Sequence, residues 1–187
     1  MKTLYLIGGP MGVGKTTLCQ HLKRRLPGSV FLDGDWCWDS HPFQVTEETK
    51  AMVLTNICFL LNQFLRCSAY ETVIFCWVLH QQDILDAILS SVRRPDCAVK
   101  AISLVCGERE LTERLMRDVA AGIRTEDVVE RSLSRLPLYE ALNTWKVDTA
   151  GKTVEQIGEE IIALPENEDF SAPGSPREKR GNPSEIV

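Results

Sequence analysis

Gly9-Pro-Met-Gly-Val-Gly14-Lys15-Thr16 spells G-x-x-x-x-G-K-[ST], and its surroundings decide what it means. Residues 3–7 form a short, apolar, β-branched run that reads as a buried strand. The stretch after the loop places Leu18, Leu22 and Leu26 on one helical face. Strand, glycine loop and helix are the context in which such a loop cradles phosphate. Glycines let backbone N–H groups converge on an anion without Cβ clashes, and a helix starting near Gly14 aims its free N–H groups and dipole at the same point. Gly9, Met11, Gly12, Val13, Gly14, Lys15, Thr16 and Thr17 are therefore the candidate cradle for a nucleoside triphosphate. Lys15 is expected to reach the β- and γ-phosphates, and the Thr16 hydroxyl to ligate Mg²⁺.

The rest of the chain alternates strand and helix patterns. A second strand, residues 30–32, ends at Asp33, and a long helical pattern covers residues 46–67. Residues 72–79 are the most apolar run and are expected to be the central strand, with Trp77 in the core. A helix over 83–92, a strand over 98–105, helices over 108–121 and 125–136 hinged at Gly122, and a short strand over 145–147 follow. Thr153-x-x-Gln156 is a capping box opening a helix that runs to residue 164. Apolar strands alternating with helices predict an α/β chain: a three-layer α/β/α fold with a five-stranded parallel sheet and a helical lid over 108–136. Residues 1–164 read as one domain. From Pro165 the Pro-, Ser- and charge-rich composition predicts a disordered tail over 165–187.

Charge and cysteine content narrow the setting. A net charge of −5 argues against a broad nucleic-acid footprint, and no apolar run approaches a membrane span. Seven cysteines without C-x-x-C spacing, mostly inside apolar runs, predict buried free thiols and a cytoplasmic protein, monomeric or homodimeric.

Leu32-Asp33-Gly34-Asp35-Trp36 is the second candidate site. Two carboxylates flank a glycine where a strand ends on the phosphate-loop side of the sheet, the edge at which open α/β sheets bind ligands. A hydroxyl acceptor needs a carboxylate to orient it and take its proton during phosphoryl transfer. Asp35 is the expected base, with Asp33 supporting the acceptor or Mg²⁺; Trp36, Trp38 and His80 are candidate acceptor contacts. The third site is arginine-rich: Arg114, Arg117 and Arg124, with Arg131 and Arg135 beyond.

A phosphate loop followed about one helix later by Phe-Leu-Asp-Gly-Asp resembles the small P-loop kinases, among them the gluconate kinase, adenylylsulfate kinase, chloramphenicol phosphotransferase and polynucleotide kinase families. The resemblance covers residues 1–164 and implies an ATP- and Mg²⁺-dependent transfer to a small-molecule hydroxyl. It implies that Asp35 is the base, that the arginine segment is a lid with Arg117 and Arg124 touching the triphosphate and Arg114 supporting its binding, and that Asp148 to Gly151 packs the adenine. Gluconate kinases follow Asp-Gly-Asp closely with His-Pro; here His41-Pro42 comes later, after Trp36-Cys37-Trp38-Asp39-Ser40. Two other readings stand beside this one: a non-catalytic or regulatory nucleotide-binding ATPase, and a kinase of 5′-hydroxyl nucleic-acid ends. Asp148-Thr-Ala-Gly151 also matches a GTPase switch, but no N-K-x-D strand follows it.

Overall fold

The computed structural model describes residues 1–93 and 96–167. Five strands form, β1 (Lys2–Gly8), β2 (Ser29–Asp33), β3 (Thr72–Cys76), β4 (Cys97–Val105) and β5 (Trp145–Asp148), in one all-parallel sheet of order β2-β3-β1-β4-β5. Among the described residues seven helices, α1 (Lys15–Arg25), α2 (Glu47–Arg66), α3 (Gln82–Ser91), α4 (Glu108–Ala120), α5 (Val128–Leu133), α6 (Leu136–Glu140) and α7 (Val154–Ala163), cover it as a three-layer α/β/α fold.

The alternation of side chains along β1 builds two cores. Leu4 and Leu6 face Val53, Ile57 and Leu61 of α2 and Leu85 and Ile88 of α3. Tyr5 and Ile7 face the other way, toward Leu18 and Leu22 of α1, Leu111 and Leu115 of α4, and Ile157 and Ile161 of α7. Burial on both faces is why these strands read as unbroken apolar runs.

Helix ends follow their local chemistry. Thr46 caps α2 through a reciprocal box with Thr49, and Cys67 ends it; Thr153 and Gln156 form the same device on α7. Two expectations need correction. The middle strand is β1, with β3 beside it, and β3 stops at Cys76 rather than running to Leu79. There the chain leaves the sheet, Leu79 adopting φ 36°, and Val78 O accepts from Gly9 N at 3.4 Å. The second lid helix is also shorter than its pattern: α5 ends at Leu133, and α6 restarts at Leu136 with a proline in its first turn.

β5 pairs with β4 only over Ile102–Val105. On that side Asn167 lies against the amino half of β4: its N–H donates to Val99 O at 2.9 Å, and its side-chain Oδ1 accepts from Ala101 N at 2.8 Å. The remainder of the expected tail, 168–187, lies outside the described residues. All seven cysteines are free; Cys19, Cys58, Cys76 and Cys106 are buried and Cys67 is exposed. Among the described residues no helix is long and apolar enough to cross a membrane.

Candidate active site

The carboxyl edge of β1 and β2 gathers the phosphate loop and both aspartates. The loop needs its glycines: Gly12 has φ 80°, and a Cβ there would stand 2.5 Å from Leu115 Cδ2 of α4. Gly14, at φ 102°, starts α1 without a side-chain cap, so the first turn of the helix leaves its N–H groups for an anion. Val13 is buried beneath the loop, Met11 packs part-buried beside it, and Thr17 is exposed.

Lys15 folds back over the loop, its Nζ donating to Gly9 O at 2.8 Å and Pro10 O at 2.9 Å. Burial lowers its pKa; the Asp35 and Asp33 carboxylates pull it up, and the positive charge of Arg124 adds to the lowering. Both aspartates and Arg124 thus act electrostatically on Lys15. The Cys76 thiol is pushed well up, first by its hydrogen bond with Cys19 and then by burial, so a neutral sulfur faces the lysine.

Asp33, only 7% exposed, ends β2 and works in two directions. Its Oδ2 accepts from Thr16 Oγ1 at 2.8 Å, and its Oδ1 accepts from Asp35 N at 3.2 Å, capping the single 3-10 turn Gly34–Cys37. That turn swings Asp35 out to solvent. Asp35 Oδ1 accepts from Trp77 Nε1 at 3.1 Å. Trp77, expected in the core, is half-buried at the end of β3 and stands edge-to-face with Trp38, ring centroids 5.9 Å apart. Trp38 in turn meets Phe43 at 4.9 Å, and Trp36 leans edge-on against Phe31 at 5.2 Å while remaining 57% exposed. His80 lies three residues beyond Trp77; its Nδ1 is buried without a hydrogen-bond partner, and burial, then Arg135, lowers its pKa against the opposing pull of Asp83.

The arginines divide by geometry. Arg114 is a strut: its guanidinium donates to Val13 O and Thr149 Oγ1, both at 3.1 Å, to Thr149 O at 3.2 Å, and to Glu110. It therefore ties α4 and the loop after β5 to the phosphate loop instead of presenting free donors. Arg124 pairs with Asp118 at 3.1 Å. Arg117 is exposed, with Nε donating to Glu113 O at 3.3 Å. Asp148 Oδ1 accepts from Ala150 N at 2.9 Å in a turn completed by Gly151 at φ 65°, a backbone-built loop. Sequence reasoning favours the core for Trp77 and gives Thr149 no role of its own within the loop over 148–151. The polar run His80-Gln81-Gln82 marks Trp77 as near a strand end but not as the partner of Asp35, and nothing local marks Thr149 as the partner of Arg114.

The Thr16 hydroxyl, aligned by a buried carboxylate at the head of the phosphate loop, fits a Mg²⁺ site of the kind a P-loop forms with its nucleotide. Among the described residues no group of three His, Cys, Asp or Glu side chains could hold a metal by itself.

Comparison with known proteins agrees with this geometry. A gluconokinase from Sinorhizobium meliloti 1021 superposes with a TM-score of 0.64 at 20% identity, covering 86% of this chain and 90% of its own. The tunicamycin resistance protein of Deinococcus radiodurans gives 0.64 at 21%, covering 89% and 98%. Shikimate kinase from Acinetobacter baumannii, solved with shikimate, gives 0.55 at 21%, covering 87% and 91%. No curated protein matches by sequence. A family model described as an AAA domain matches residues 6–132, more than half of the chain. The chain belongs to that AAA domain family, built on the fold shared by the small P-loop kinases.

Proposed function

We propose that the protein is an ATP-dependent kinase that transfers the γ-phosphoryl group of ATP to a hydroxyl of a small molecule. One observation carries the reading: Asp35 is a solvent-facing carboxylate at the edge that holds the phosphate loop, while its neighbour Asp33 is committed to Thr16 behind it. A nucleotide switch has no need of a second, outward carboxylate there; an acceptor hydroxyl does.

The roles follow from the chemistry. The loop N–H groups and the start of α1 bind the phosphates. Lys15 exchanges its carbonyl partners for phosphate oxygens and neutralises charge as the terminal phosphoryl departs. Thr16 and Asp33 would hold Mg²⁺, Thr16 directly and Asp33 as the group that orients it. When bound, Mg²⁺ supplies positive charge shared among the phosphate oxygens. Asp35 orients the acceptor and takes its proton. Arg124, carried by the segment after Gly122 and paired with Asp118, adds positive charge that acts on Lys15. Trp36, the exposed neighbour of Asp35, Trp38 against Trp77, and His80 after the same strand are the assigned acceptor contacts.

ADP release from MgATP, measured against nucleosides, neutral sugars, gluconate, shikimate and aminoglycosides, tests the reading. A true acceptor stimulates release, and Asp35→Asn then lowers turnover by roughly 100-fold with ATP affinity intact. Release indifferent to every hydroxyl compound would favour a regulatory ATPase; acceptor activity confined to oligonucleotide 5′ ends, with a steep salt dependence, would favour the nucleic-acid kinase.

A further inference from the structure

We propose that Trp77 is a positioning residue that fixes both the place and the rotation of the Asp35 carboxylate relative to the phosphate loop. The inference rests on the phosphotransfer reading above and adds a residue that the P-loop motif does not contain.

Trp77 is anchored at both ends. Its main-chain N–H donates to Ile7 O at 3.2 Å, and the next residue's carbonyl, Val78 O, accepts from Gly9 N at 3.4 Å. Both partners belong to the few residues that carry β1 into the phosphate loop. Its side chain reaches the other half of the site, where indole Nε1 donates to Asp35 Oδ1 at 3.1 Å. The residue thus spans from the strand that aims the triphosphate to the carboxylate that receives the proton.

The indole ring is confined on two sides. On one it lies against the main chain of Gly34, so closely that a Cβ there would stand 2.5 Å from Trp77 Cγ and 2.7 Å from Cδ1. On another it meets the Trp38 ring edge-to-face, interplanar angle 78°. The glycine between the two aspartates is required by this contact, not by its own dihedrals, since its φ is not positive. An indole N–H is a donor only. It engages one carboxylate oxygen without competing for the acceptor's proton, and leaves the other, Asp35 Oδ2, to take it. A short exposed 3-10 turn would otherwise leave that carboxylate free to rotate, and misorientation of a base by about an ångström is costly to turnover.

Trp77→Phe removes the N–H and keeps an aromatic ring against Gly34 and Trp38; Gly34→Ala displaces the ring by crowding. ADP release from MgATP is measured with water as acceptor and then with each compound of the panel above. Trp77→Phe lowers kcat about tenfold, the scale of one hydrogen bond to a charged group, with KM for ATP unchanged. Gly34→Ala reproduces that split. Added to Asp35→Asn, the Trp77→Phe change costs less than about twofold, because the two residues act as one unit. An independent readout is the Trp77 indole ¹H–¹⁵N resonance, identified by its loss in Trp77→Phe, which shifts in Asp35→Ala. Unchanged kcat in Trp77→Phe, a loss that multiplies in full with Asp35→Asn, or an indole resonance indifferent to Asp35→Ala overturns the proposal while the kinase reading stands. Wild-type protein that releases no ADP with water or any acceptor overturns the kinase reading, and this role falls with it even if the resonance shifts.

Discussion

Thr16 Oγ1 donates to Asp33 Oδ2 at 2.8 Å, joining the first turn of α1 to the end of β2 across 17 positions of sequence. The second oxygen of the same buried carboxylate caps the turn that presents Asp35. Asp33→Ala strips a partner from both the Thr16 hydroxyl and the Asp35 N–H, and is expected to cost about 1–3 kcal/mol of stability. It should also raise the Mg²⁺ concentration needed for ATP binding. Denaturant unfolding and a Mg²⁺ titration at fixed ATP check both effects; unchanged Mg²⁺ dependence would reduce Asp33 to a structural cap.

Lys15 rests on two loop carbonyls, poised to turn toward phosphate. MgATP should therefore stabilise the protein against heat far more than adenosine does, by about 2.7 kcal/mol at a hundredfold excess over Kd. Lys15→Ala should erase most of that difference and remove turnover. Thermal unfolding with each ligand reads the first effect and ADP release the second.

Arg114 and Arg117 share one face of α4 and part company in role. Arg114 bridges the phosphate loop, Glu110 and Thr149; Arg117 is exposed. Arg114→Ala should destabilise the fold by about 1.5–3 kcal/mol, the range for hydrogen bonds from a charged group. Arg117→Ala should leave stability within about 0.5 kcal/mol, as surface substitutions do, and lower turnover only if the lid brings it to the nucleotide. Equal destabilisation by the two variants would contradict this division.

The segment from α4 to α6 is broken at Gly122 and again before Leu136. Hydrogen exchange should be fast around Gly122 and α5 without nucleotide and slow markedly with a non-hydrolysable ATP analogue, while β1 and β3 stay protected throughout. Exchange unaltered across residues 108–136 would mean that the segment does not close.

His80 gives a pH signature. Burial and Arg135 lower its pKa in the folded state, so the fold favours the neutral ring. Its stabilising contribution is complete above the unfolded value of about 6.5 and is lost as pH falls below it, because the unfolded chain then binds the proton more readily. Wild type should lose more stability than His80→Gln between pH 7 and pH 5, by denaturant titration at each pH. A larger acid loss in the variant would reverse the assignment.

Much of this was legible in the chain. The phosphate loop, its strand and its helix are written within 26 residues because their determinants are local: glycine dihedrals, a β-branched run, an apolar stripe. Thr46 and Thr153 announce their helices for the same reason. What stayed hidden depends on distance. Arg114 looks like a free cation until Thr149, 35 residues on, and Val13, 101 residues back, are seen to occupy it. Trp77 looks like core because its run is wholly apolar; only pairing with β1 ends β3 at Cys76 and leaves the indole at the edge. The pattern over 125–136 stops just before Pro137, yet the break after Leu133 carries no Gly or Pro, and Pro137 sits in the first turn of a new helix, α6.

Asn167 imitates a neighbouring strand on the open flank of β4, engaging the N–H and carbonyl positions at Ala101 and Val99 that a sixth strand would use. An uncovered strand edge is a template on which chains stack into aggregates. The residues just past the last helix therefore occupy positions that such stacking would use, and a chain trimmed at 164 would leave Val99 O and Ala101 N without these partners.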